Sequence, residues 1–137
     1  MDLADFRNRA RAAALLDTFQ RMNRTLATVP SLRRFLEHER ETGLRLLTSS
    51  AGPIQPRAVA AIAALIDAEA RASGWRPAIE TGTLAYAIVR LYEAFVYNDA
   101  AAGIRGDVDR LGEVEAALLG LAPQAPPPAV RARSERR

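Results

Sequence analysis

The sequence predicts an all-α fold, an antiparallel bundle of about five helices. Three observations carry this. Ala, Leu and Arg, all good helix formers, dominate the chain. Aromatic residues make up only 6% and β-branched residues are sparse, which disfavours a sheet. Apolar residues recur at spacings of three and four along each long segment. At 137 residues the chain is one domain's worth, enough for a single core.

The first segment, 2–28, carries Leu3, Phe6, Ala10, Ala13, Leu16, Phe19, Met22 and Leu26 as one apolar stripe. Pro30 ends that helix or opens the next. The second, 31–49, can start with Ser31 as N-cap. Its charged middle, EHERETG, predicts a bend or a break into two short helices near 38–43. Then comes TSSAGPIQP. Gly52 can take a positive φ and close the helix, Pro53 forbids continuation, and Pro56 suits the first turn of a new one. This reads as a hard corner between two helices. The third segment, 56–73, carries Val59, Ile62, Leu65 and Ile66 and stops at Gly74. The fourth, 80–99, is the most apolar, with Glu80 or Thr81 as cap and Asn98-Asp99 and Gly103 at its exit. The fifth, 107–121, shows Leu111, Val114, Leu118 and Leu121 on one stripe. Gly112, Ala116 and Gly120 form a second, small-residue face that admits a close helix. Residues 123–137, rich in Pro and Arg, read as a disordered tail after a folded unit of 1–122.

Several classes are disfavoured. There is no cysteine, so disulfides, thiolate metal sites and a Cys nucleophile are out. One histidine, His38, sits in a charged run, which leaves no zinc or di-iron set and a poor Ser-His-Asp triad. No metal and no cofactor are expected. No glycine-rich phosphate loop is present, no apolar run is long enough for a membrane span, and the first ten residues lack an apolar signal core. The basic pI of about 10.1 suggests nucleic acid, but all 19 basic residues are Arg and four of them, with one acid, lie after Ala122. The remaining 15 Arg face 15 acids, and a neutral body has no phosphate-binding footprint.

One constellation stands out. Tyr86, Arg90, Glu93 and Tyr97 fall on one face of a regular helix within otherwise apolar text. They can wall a ligand pocket, with the charges meeting a polar head and the phenols lining an apolar body. The plainer alternative is a half-buried Arg90–Glu93 pair with tyrosine hydroxyls tied to backbone. Arg45 and Thr48 can face the same cavity or cap a helix C-terminus. Trp75 can gate a cavity or plug a core edge. The stripe of Leu111, Val114, Leu118 and Leu121 is either internal core or half of a dimer seam. The fourth segment is apolar nearly all round, so a symmetric partner pairing segments four and five is the favoured cover.

The runs LRRFLEHERETGLRLLTSSAGPIQPRAVAAIAALI and LAYAIVRLYEAFVYND resemble the C-terminal domain of TetR-family transcriptional regulators, and within it the QsdR-like branch. The likeness spans about 15–120. It rests on Leu46-Leu47-Thr48, the Gly52-Pro53 corner, the Gln55-Pro56-Arg57 restart, and Tyr86, Ile88-Val89-Arg90, Glu93 and Tyr97. It implies a cytoplasmic, non-enzymatic, dimerising domain that binds a small apolar effector in its helical core. The candidate pocket is Arg45, Thr48, Trp75, Tyr86, Arg90, Glu93 and Tyr97. The candidate dimer interface is Leu111, Gly112, Val114, Ala116, Leu118, Gly120 and Leu121. The first helix here already belongs to the core, so DNA is expected to be reached only through a helix-turn-helix head outside these residues. A headless copy pairing with full-length relatives is one expectation from that. The alternative to effector sensing is a pocketless helical protein that only dimerises.

Overall fold

The structure, a computed structural model, describes residues 2–98 and 103–121. Six α-helices appear there, with no strand among the described residues. They are α1 (Leu3–Ala27), α2 (Pro30–His38), α3 (Arg40–Thr48), α4 (Ile54–Ser73), α5 (Thr81–Tyr92) and α6 (Gly103–Leu118). A π-helical segment, Glu93–Asn98, continues α5. The proposed exit at Asp99 and the Pro/Arg-rich tail lie outside the described residues. No helix is long and apolar enough to cross a membrane.

Helix boundaries follow local chemistry. The second segment breaks into α2 and α3 at Glu39, inside the charged EHERETG run. Pro30 opens α2 at its first turn, with Val29 rather than Ser31 in the N-cap position. The Glu80 carboxylate caps α5, accepting from the N–H groups of Gly82 at 2.8 Å and Thr83 at 2.9 Å and from the Thr83 hydroxyl at 2.7 Å. These donors hold the Glu80 carboxyl below its ordinary pKa, the Thr83 hydroxyl contributing most. Gly74 ends α4 in the left-handed region at φ 74°, its N–H donating to the Ala70 carbonyl.

The corner works differently from the sequence expectation. Gly52 has no positive φ; α3 ends because Ser49 turns extended. Glycine is needed at 52 for space, since a Cβ there would lie 3.3 Å from the Ser49 carbonyl oxygen and 3.4 Å from that of Leu46. Helix α4 then restarts at Ile54, leaving Pro56 inside its first turn.

The core is formed by α1, α4, α5 and α6. Phe19, Ile66, Leu84 and Leu111 are essentially inaccessible to solvent. Helix α5 packs on α4, and α1 packs on α6. The buried line of α1 is Ala12, Leu15, Phe19, Asn23 and Ala27, so the apolar stripe runs one position off its expected course in the N-terminal half. Leu3 and Phe6 are instead 64% and 60% exposed.

Helix α6 and the turn after it are offset the other way, one position later than expected beyond Leu111. Its buried line is Val108, Leu111, Glu115 and Leu119. Gly112 faces α1, where a Cβ would fall 2.6 Å from the Gln20 amide nitrogen. At Gly112 the close helix that the small-residue face admits is therefore the chain's own α1. Leu118 and Leu121 pack against the same core cluster. Gly120 is a helix terminator at φ 77°, with the Leu121 N–H reaching back to the Ala116 carbonyl. Val114 and Ala116 are half-buried.

These roles predict distinct costs. Phe19→Ala should lower unfolding free energy by about 3–5 kcal/mol through the cavity it leaves. Gly74→Ala should cost about 1–2 kcal/mol from left-handed strain alone, because nothing crowds the added methyl. Urea denaturation checks both, and equal losses at the two sites would contradict the packing described.

Candidate functional site

A cavity of about 330 Å³ lies between α1, α4, α5 and α6, with Leu32 of α2 and Leu47 of α3 also in its wall. Most of the lining is apolar: Phe19, Met22 and Leu26 from α1, Ile54 and Ile62 from α4, Ile88 and Val89 from α5. Leu26 and Ile54 are 44% and 39% exposed and so reach its outer edge.

Into this wall the fold places five polar side chains besides Tyr97: Asn23, Gln55, Tyr92, Glu93 and Glu115. All five are buried. The Asn23 amide nitrogen donates to Glu115 Oε1 at 2.7 Å. Glu115 Oε2 has no partner, nor do Glu93 Oε1, Gln55 Nε2 and the Tyr92 hydroxyl. Among the described residues, five buried side-chain polar atoms lack a hydrogen bond, and these are four of them. The fifth, on Glu69, lies 3.9 Å from the Arg11 guanidinium at another place. A buried polar atom left unpaired costs about 1–3 kcal/mol, so four around one cavity call for an explanation.

The π-helical segment arranges one side of the site. Its wider turn lets residues five apart face one another. Tyr92 and Tyr97 accordingly meet edge to face, with ring centroids 5.2 Å apart at 86°. The Tyr92 hydroxyl lies near that of Tyr97 without completing a hydrogen bond. Burial raises both phenols above their ordinary pKa. The Arg40 guanidinium donates to the Tyr97 carbonyl at 3.0 Å, tying α3 to this segment.

The four-residue face expected on the fourth segment is split. Glu93 and Tyr97 line the cavity; Tyr86 and Arg90 do not. Tyr86 is 46% exposed, and the Arg90 guanidinium lies 5.1 Å over its ring while Nε donates to its hydroxyl at 3.0 Å. Arg90 Nη1 donates to Glu93 Oε2 at 2.9 Å and to the Thr48 carbonyl at 2.7 Å. The Arg90–Glu93 pair is thus present as the plainer alternative describes, with Glu93 also contributing to the cavity. Thr48 lies outside the wall, its hydroxyl donating to the Leu44 carbonyl at 2.7 Å. Arg45 points to solvent and pairs with Glu41 at 3.2 Å. Trp75 is buried in the main core cluster, in the place of a core plug rather than a gate.

Asn23, Gln55, Tyr92 and Glu115 escaped sequence reading. Two carried a signal. Asn23 lies four residues after Phe19 and one after Met22, a polar side chain on an apolar stripe. Glu115 lies midway between Leu111 and Leu119, at spacings of four. Gln55 sits in the corner and Tyr92 is placed by the π turn, and neither is marked by regular periodicity.

Burial pushes the Glu115 carboxyl up to about 7, against the weaker opposing effect of the Asn23 hydrogen bond. Burial also raises Glu93, opposed by Arg90. Above its ordinary 4.5 the unfolded chain loses the Glu115 proton while the folded chain keeps it. Its stabilisation is therefore full below about 4.5 and is lost as pH rises through about 7. That decline is at most about 3 kcal/mol, and Glu93 adds to it in the same direction. Glu115→Gln keeps an acceptor for Asn23 and should flatten the decline. Urea unfolding at about pH 5 and about pH 8 tests this, and an equally steep decline in the variant would refute it.

The family described as Tetracyclin repressor-like, C-terminal domain matches residues 11–120. Neither a curated protein nor a solved structure matches the chain at a significant level. The matched span contains every residue that lines the cavity. On this match and its all-helical architecture, the chain belongs to the tetracyclin repressor-like C-terminal domain family.

Proposed function

We propose that the domain is the effector-sensing and dimerising part of a TetR-like regulator, of the QsdR-like branch that its corner and restart resemble. It works in the cytoplasm and catalyses no reaction. A small, largely apolar effector occupies the cavity and biases the helical dimer between two conformations. One observation carries the reading: four of the five unpartnered buried polar atoms among the described residues belong to side chains that line one apolar cavity of ligand size. A pocketless pairing protein has no use for them. Their position at the junction of the core helices and the α3–α4 corner is also where occupancy would shift packing.

Ligand occupancy adds stability by mass action, about 2.7 kcal/mol at a hundred times Kd. A thermal-shift screen of small, mainly apolar compounds should therefore yield hits. Ala58→Phe, which places a ring in the cavity wall, should abolish them while the protein stays folded by circular dichroism. A screen with no hits, or hits that persist in Ala58→Phe, would turn the reading to the pairing-only alternative.

The dimer we propose uses α5 and α6. Leu111 and Gly112 are taken up by the protomer's own packing. Among the positions of these helices left available to a second copy are half-buried Val114, Ala116 and Leu91 and exposed Ala117 and Tyr86. Sedimentation velocity should show a dimer for the native protein and a folded monomer for Val114→Arg. A native monomer, or a variant dimer of unchanged strength, would overturn this interface.

A further inference from the structure

The polar part of the cavity wall has a definite sign. Two carboxylates line it: Glu115, fully buried, and Glu93, 5% exposed. Each has one oxygen in use. Glu115 Oε1 accepts from Asn23 at 2.7 Å, and Glu93 Oε2 accepts from Arg90 at 2.9 Å. Each has one buried oxygen with no partner, Glu115 Oε2 and Glu93 Oε1. No Arg or His belongs to the lining, and the protein has no Lys beyond its 19 Arg. Arg90 reaches Glu93 from outside the wall and is engaged by Thr48 and Tyr86 as well.

Resting on the effector-binding reading, we propose that the effector carries a protonated amine, which Glu115 Oε2 accepts from, on an apolar body seated among Phe19, Met22, Ile62 and Ile88. The chemistry selects this class. An anionic head would meet two carboxylates in a low-dielectric wall with no cation to offset them. A neutral hydroxyl supplies one donor and no charge. An ammonium supplies three donors and the missing positive charge, and charge-assisted hydrogen bonds are the stronger kind.

The empty domain tolerates this arrangement because burial keeps Glu115 substantially protonated near neutral pH. The titratable groups that face it across the cavity are Tyr92, Glu93 and Tyr97; α1 contributes the neutral Asn23 and α4 the neutral Gln55. Arg90 stands behind Glu93. A bound ammonium draws Glu115 into its carboxylate form and releases the proton. Amine affinity should therefore fall as pH drops from about 8 toward about 5.5, while the amine itself stays charged.

The test is calorimetry with a series of ω-phenylalkylamines of two to six methylenes, each matched with the alcohol and the carboxylate of the same length. At about pH 8 the best amine should bind roughly tenfold or more tightly than its alcohol, with the carboxylate weakest. Glu115→Gln should shrink that preference to within about threefold and remove its pH dependence, leaving the alcohol unchanged. Glu115→Met provides the same readout should Glu115→Gln fail to fold. Alcohols or carboxylates binding as well as amines, or a preference that survives in the folded variants, overturn the cationic assignment while effector binding stands. No binding by any member, together with an empty thermal-shift screen, overturns both.

Discussion

The Arg90 guanidinium joins two parts of the fold that the chain keeps far apart. It donates to the carbonyl of Thr48 at the end of α3, where the unpaired carbonyls of a helix terminus favour a cation. It also donates to Glu93 and to the Tyr86 hydroxyl on its own helix. The Thr48 contact holds the corner against α5, and that fixes where α4 begins. Ile54 and Gln55, the first residues of α4, thereby enter the cavity wall. The Glu93 contact takes one carboxylate oxygen and leaves the other unpartnered. A lysine could not reproduce this, since its single nitrogen cannot stand both for Nε at the Tyr86 hydroxyl and for Nη1 between Glu93 and Thr48.

The π-helical segment makes the second adjustment. A regular helix would carry Tyr92 and Tyr97 to different faces. The wider turn stacks them on one and sets Glu93 between the guanidinium and the cavity. The Arg40 bond to the Tyr97 carbonyl holds the far end of the segment. Two arginines from opposite sides of the corner thus fix one wall of the cavity, while the opposite wall comes from α1 and α6 and is closed by Asn23 and Glu115. Side chains distant in sequence converge because each is set by a helix whose other face is locked into the core.

The helical class, the cap at Glu80, the stop at Gly74 and the break near Glu39 were legible because each depends on a few adjacent residues. The buried face of α1 and that of α6 were misplaced by one position. Leu3, Phe6 and Val114 are as apolar as the residues actually buried, so pattern alone could not choose between neighbouring faces. The choice was made by tertiary fit, such as Gly112 against Gln20. Helical spacing pointed to Glu93 and Tyr97, which do line the cavity, while Arg45 and Trp75, singled out by their places beside the corner and the Gly74 stop, do not. Periodicity has no term for a polar residue wanted inside. Asn23 and Glu115 escaped notice for that reason.

Polar groups in the interior of a small bundle lower its stability unless something satisfies them. Here the unsatisfied atoms are gathered rather than scattered, and Glu69, away from the cavity, at least has Arg11 within 3.9 Å. Gathering them concentrates the penalty where an occupant can relieve it. Under the proposed effector reading, occupied and empty states differ most in the few side chains that connect α1, α5 and α6, and least in the locked faces behind them. That distribution gives a bound molecule leverage on helix positions without loosening the core. It is what a domain needs if occupancy, rather than folding, is to set its shape.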